Sequence, residues 1–164
     1  AAGADPALLP ASYESFPPPK GRLETVASHD GVRWIYDIQA TTAPAAAAGI
    51  HAVAPTTGQL ILVVGGEDKG MDYQGMADAA AQSRCTILAL PGSGTEALLS
   101  ALDGRCDVSH LDDLDQAIER AGDLAEDGGV VLLSPGCAFF HSRYIDGGAS
   151  FAQRVRVFLG EPIP

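Results

Sequence analysis

Positive charge is scarce in this sequence, and its scarcity excludes a class of partner. Ten lysines and arginines stand against 21 aspartates and glutamates in 164 residues, a formal charge of −11. Binding to phosphate backbones needs clustered Lys and Arg, so no nucleic-acid partner is expected. The acidic residues gather between Asp103 and Asp127 and read as a solvated face. Long apolar runs are missing too: none approaches the length of a membrane span, and no secretory leader is visible.

Cysteine is sparse. Cys85, Cys106 and Cys137 show no metal-ligand spacing, and an odd, scattered set fits a reducing cytoplasm better than a disulfide scaffold. They read as apolar core residues, and Cys137 has no neighbouring His or Lys to make it a thiolate. His29, His51, His110 and His141 form no ligand-like pair, so no metal is expected to be held by this chain alone. A Gly-x-x-x-x-Gly-Lys-Ser/Thr phosphate loop is absent, Gly92-Ser93-Gly94 is only a partial dinucleotide fingerprint, and Ser134 lacks the Gly-x-Ser-x-Gly elbow of a hydrolase.

What is present is a hydrophobic fraction of 46%, enough to build one ordinary domain with a real core. Ala1–Ser15 reads as the tail of something else, with Asp5-Pro6 able to open a short helix. Pro17-Pro18-Pro19 is a stiff linker, which puts a boundary near residues 16–21. Leu23–Val26 and Val32–Asp37 read as strands around the turn His29-Asp30-Gly31. Apolar runs predict further strands at Leu60–Val64, Cys85–Leu90 and Val130–Ser134. Helices are expected over Ala43–Val53 (cap Thr42), Tyr73–Arg84 (cap Asp72), Thr95–Leu102, Asp112–Glu126 and Phe151–Leu159. This alternation implies an α/β fold: a Rossmann-like, mostly parallel sheet, helices on both faces, and an N-terminal antiparallel hairpin at its edge.

Ligands in such sheets bind where strands end in small-residue loops. Two loops qualify: Gly65-Gly66-Glu67-Asp68-Lys69-Gly70 after Leu60–Val64, and Leu132–Ala138 after Val130-Val131. Together they suggest one small-molecule site, with Lys69 as its obvious charge.

Four segments in order carry a family resemblance: Arg22-Leu23-Glu24 after the Phe-Pro-rich linker, Gly31–Asp37 followed by Ala40-Thr41, Gly65–Gly70, and Leu132–Ala138. They resemble the C-terminal domain of the Mur ligases, most closely the branch that adds D-glutamate to UDP-N-acetylmuramoyl-L-alanine in peptidoglycan synthesis. The resemblance implies that residues 1–20 are the end of a central ATPase domain and linker, and that 21–164 are the C-terminal domain of a cytoplasmic, monomeric, three-domain enzyme. ATP and Mg2+ would be bound mainly by the central domain, where the alanyl carboxylate becomes an acyl phosphate. This domain would present the glutamate amine and would not catalyse alone.

By the same resemblance Lys69 would pair with a glutamate carboxylate, Thr41 would hydrogen-bond the amino acid, and Phe139, Phe140 and Tyr144 would stand at the amino-acid pocket. Asp37 would reach the nucleotide ribose and Arg22 its phosphates, with Gln39 beside them. The chain departs from the family pattern at several points. Gln39 replaces a lysine, Phe139 replaces a glutamate-binding serine, Gly21 replaces a histidine, and Gly147-Gly148 stands where the family has Arg-Gly. These departures leave open a ligase for L-glutamate or another amino acid, and also a stand-alone binding module that has lost the reaction. An unrelated flavodoxin-like domain would instead predict flavin or dinucleotide binding, for which the sequence offers no positive feature.

Overall fold

Strands that are apolar at every position need cover on both sides, and the sheet has it. The computed structural model describes residues 19–139 and 147–162. Six strands run in the order β1-β2-β6-β3-β4-β5. They are β1 (Glu24–His29), β2 (Val32–Tyr36), β3 (Leu60–Val64), β4 (Thr86–Ala89), β5 (Val108–His110) and β6 (Val130–Leu133). β1 pairs antiparallel with β2 at one edge, and all other pairings are parallel.

The helices are α1 (Ala43–Val53), α2 (Gln74–Gln82), α3 (Ser93–Leu102), α4 (Leu114–Leu124) and α5 (Gly147–Phe158). Residues alternate sides along each strand. Leu60, Leu62, Val64, Val130 and Leu132 join the core under α1, α2 and α3. Ile61, Val63, Val131 and Leu133 join the core under α4 and α5, with Trp34 and Phe151. The chain moves outward from β2 to β5 and then returns through α4 to place β6 between β2 and β3. That reversal puts α1–α3 and α4–α5 on opposite faces and sets a topological switch point between β6 and β3.

The α/β class, the antiparallel edge and the helices on both faces are as expected. Several boundaries are not. Leu23 cannot extend β1 backwards: its φ is +44, and its N–H is taken by the Asp37 carboxylate. β1 instead continues to His29, because the hairpin turn is the two-residue Asp30-Gly31 with φ +47 and +77, the mirror-image turn that suits twisted strands. Thr42 flanks α1 but makes no side-chain cap bond. Tyr73, not Asp72, precedes α2, although Asp72 does accept the Gln74 N–H at 2.8 Å. α2 stops at Gln82, and Arg84 is left-handed at φ +52. α4 is shorter than Asp112–Glu126 because Asp113 is its cap, accepting from Gln116 N. α3 begins two residues earlier than expected, after Gly92. β5 is not among the strands that the sequence predicts. The expected helix near Asp5-Pro6, Pro17 and Pro18 of the linker, and His141 lie outside the described residues.

Candidate functional site

β2, β6 and β3 are neighbours and parallel, so the loops after them meet at one end of the sheet. Backbone bonds beyond the strands hold them there. Asp37 N–H donates to Leu133 O at 2.9 Å, Ser134 N–H to Val63 O at 3.2 Å, and Gly136 N–H to Ala40 O at 2.9 Å. Glu67 and Ala138 exchange two bonds, of 2.9 and 3.0 Å, which zips the β3 loop to the β6 loop. The zip requires glycine at position 66: its φ is +130, and a Cβ there would lie 2.3 Å from Ala138 O. Gly94 N–H donates to Gly66 O at 2.9 Å, which ties the start of α3 to the same loops.

Lys69 and Thr41, two of the residues singled out from sequence, come together. The exposed Lys69 Nζ donates to the Thr41 carbonyl at 3.4 Å. A cation therefore stands over the ends of β2 and β3 with no carboxylate in an ion pair with it among the described residues. Its loop is braced by groups the sequence reading did not single out. Tyr73 OH donates to Asp68 Oδ1 at 3.0 Å, Ser93 Oγ donates to Glu67 Oε2 at 2.7 Å, and Asp68 N–H donates to Ser93 Oγ at 3.0 Å. The Met71 N–H above all, helped by the Tyr73 hydroxyl, holds the Asp68 carboxyl below its usual range against desolvation.

Asp37 has a different setting. It is 4% exposed, with Ser134 Oγ donating to its Oδ2 at 3.0 Å and Leu23 N–H donating to its Oδ1 at 3.3 Å. Burial raises its carboxyl above the usual range, opposed by Ser134, the Leu23 N–H and the charge of the nearby Arg22. Arg22 itself is exposed. Gln39 is exposed and lines a cavity of about 310 Å³ with Lys20, Gly21, Glu24, Tyr36 and Ile38. Burial, then the Glu24 charge, pushes the Tyr36 phenol up to about 12.

Phe139 is 4% exposed and buried with Leu133 and Phe151 in the core under α4 and α5, so its ring offers little surface to a ligand. Phe140 and Tyr144 lie outside the described residues. Cys137 is buried and its thiol donates to Gly65 O at 3.1 Å; burial pushes it up to about 12, which suits packing and not nucleophilic chemistry. Cys85 is also buried, whereas Cys106 is only partly so, short of the buried position expected for it.

Comparison with known proteins agrees with this fold. A family model described as Mur ligase, glutamate ligase domain, matches residues 21–137. A UDP-N-acetylmuramoylalanine--D-glutamate ligase of Chlorobium limicola is 35% identical over 158 residues, covering 96% of this chain and 32% of that protein. One from Chromohalobacter salexigens is 36% identical over 143 residues, covering 85% and 31%. The chain thus spans about a third of the length of the curated relatives it matches. In fold it is similar to a murein peptide ligase from Psychrobacter arcticus, with TM-score 0.64 and 16% identity over 94% of this chain and 33% of that one. It is also similar to a bifunctional folylpolyglutamate synthase/dihydrofolate synthase from Yersinia pestis, with TM-score 0.57 and 19% identity over 94% and 38%.

Proposed function

The chain belongs to the Mur ligase family, matching its glutamate ligase domain, and from that premise we propose that it is the amino-acid-binding domain of a cytoplasmic, ATP-dependent ligase that adds glutamate to UDP-N-acetylmuramoyl-L-alanine. The observation that carries this reading is Lys69, a cation in no ion pair among the described residues, standing over the joined loops of β2, β3 and β6 against the Thr41 carbonyl. A carboxylate arriving there would meet a charge-assisted donor in a place where the surrounding backbone is already fixed.

In this reading Lys69 pairs with a carboxylate of the amino acid, and Thr41 adds a hydrogen bond beside it. Arg22 and Gln39 face the nucleotide, and the cavity next to Gln39 gives its base or ribose room. Asp37 would offer the ribose the remaining lone pairs of a carboxylate that Leu23 and Ser134 already anchor. The bound nucleotide would supply the phosphoryl group that activates the alanyl carboxylate. Among the described residues no three His, Cys, Asp or Glu gather into a metal-ligating group. In this reading magnesium is held mainly by the ligase's central domain. No helix among the described residues is long and apolar enough to cross a membrane. The buried phenyl at Phe139 supplies no hydroxyl, which makes the choice of amino acid the open variable.

The test is an acceptor panel. The full-length protein is given ATP, magnesium and UDP-N-acetylmuramoyl-L-alanine with D-glutamate, L-glutamate, D-aspartate or D-glutamine, and product is followed by mass. Glutamate-dependent product supports the reading, and the better enantiomer defines the substrate. No product with any amino acid refutes it and leaves a binding module without the reaction.

A further inference from the structure

Lys69 sits on an exposed turn, and nothing in its own side chain explains why that turn keeps one shape. Among the described residues its ammonium makes a single long bond, to the Thr41 carbonyl at 3.4 Å. A charge on a mobile loop would have to be ordered at each binding event, and ordering costs affinity. The structure shows where the order comes from. Asp68 Oδ1 accepts the Met71 N–H at 3.3 Å and closes the turn across Lys69 and Gly70. That bond and the Tyr73 hydroxyl meet on the same oxygen, so the turn that carries the lysine closes on one side chain.

That side chain is in turn referenced to the core. Tyr73 is 4% exposed and packs in the core under α1, α2 and α3. Its hydroxyl donates to the same Oδ1 at 3.0 Å. On the other side, Asp68 N–H donates to Ser93 Oγ at the start of α3, and Ser93 Oγ donates on to Glu67. The path from rigid core to lysine backbone thus runs through Asp68 from two directions.

We propose that Asp68 is the positioning residue of the site: it holds the Lys69 turn in the shape that meets the amino-acid carboxylate, and does so without touching the substrate. This rests on the reading of Lys69 given above. Its action is through acceptor geometry at Oδ1, so an amide oxygen in the same place retains most of it. A carboxylate that bound the substrate's ammonium group directly would lose its effect in the amide.

The experiment measures KM for the amino acid, KM for ATP, and kcat in the full-length protein carrying Lys69→Ala, Asp68→Ala, Asp68→Asn or Tyr73→Phe, with melting temperature as a folding check. Lys69→Ala is expected to raise the amino-acid KM by at least about tenfold. Asp68→Ala is expected to raise it by several-fold to about tenfold, with kcat and the KM for ATP close to wild type. Asp68→Asn restores most of the loss, and Tyr73→Phe, which removes one donor and leaves the turn bond to Met71, falls between. If Asp68→Ala does not fold, Tyr73→Phe against Asp68→Asn decides the question. An unchanged amino-acid KM in Asp68→Ala or Tyr73→Phe, beside a raised one in Lys69→Ala, overturns the positioning role alone. Asp68→Asn as poor as Asp68→Ala overturns it in favour of direct contact. An unchanged KM in Lys69→Ala overturns both this proposal and the reading beneath it.

Discussion

Replacing Ser134 by alanine should expose the buried Asp37 carboxylate as a pH-dependent liability. Ser134 is fully buried, and its hydroxyl is one of two donors to Asp37, itself 4% exposed. A hydrogen bond to a charged group contributes about 1.5–3 kcal/mol, and losing it leaves Oδ2 desolvated without compensation. For a domain of this size that lowers Tm by roughly 3–12 °C at about pH 7. The sign of the pH dependence follows from the raised folded-state value of Asp37, which burial causes. A group raised on folding contributes stability that is complete below its unfolded-state value and is lost as pH rises through the folded one. Removing Ser134 raises the folded value further, so the gap between wild type and Ser134→Ala is smallest in acid and widens as pH rises above the wild-type folded value of Asp37. Scanning calorimetry across that rise in pH checks it. A second control is Asp37→Asn: with the charge gone, the added cost of Ser134→Ala should shrink to about 0.5–1.5 kcal/mol, the worth of a neutral bond. A gap that is constant with pH, or a Tm change under about 1 °C at pH 7, would refute the reasoning.

Glycine-to-alanine changes in two helices should have opposite signs. In α3, a Cβ on Gly94 would lie 2.7 Å from Cys137 Cβ and 3.0 Å from Gly66 O, so Gly94→Ala should destabilise by about 1–3 kcal/mol and loosen the loop zip. In α2, a Cβ on Gly75 meets nothing within 4 Å, so Gly75→Ala should stabilise by about 0.5–1 kcal/mol; urea titration reads both. Asp113→Ala removes the side-chain cap of α4 and should cost about 0.5–2 kcal/mol by the same titration. Alkylation at about pH 8 should label Cys106 before the other thiols, because Cys85 and Cys137 are buried and pushed up to about 12; intact mass showing early double labelling would contradict this.

Much of the fold was legible because its inner strands announce themselves. Leu60–Val64 and Val130–Leu133 are apolar at every position and buried at every position. β5 was not legible, since Val108–His110 is a three-residue edge strand that is largely exposed and carries no apolar run. Boundaries failed where a side chain acts at a distance. Leu23 leaves the strand because Asp37, 14 residues away, takes its N–H. Asp37 itself reads as a polar residue at a strand end, and its burial depends on Ser134, 97 residues further on. The two glycine-rich loops do lie together, as the sequence suggests, because strand order brings β3 and β6 side by side. Asp68 and Tyr73 were not singled out as a unit. Their five-residue spacing has a signature only once the turn at Gly70 is known. Phe139 reads as a pocket residue from its loop, whereas its ring packs in the core under α4 and α5.

The most direct test is the KM of the full-length protein for its amino acid with and without Lys69. If this domain holds the amino acid through Lys69, Lys69→Ala raises that KM by about 10- to 150-fold, the equivalent of a charge-assisted bond, and leaves the KM for ATP near wild type. An amino-acid KM that does not change would place the carboxylate elsewhere and contradict the central claim.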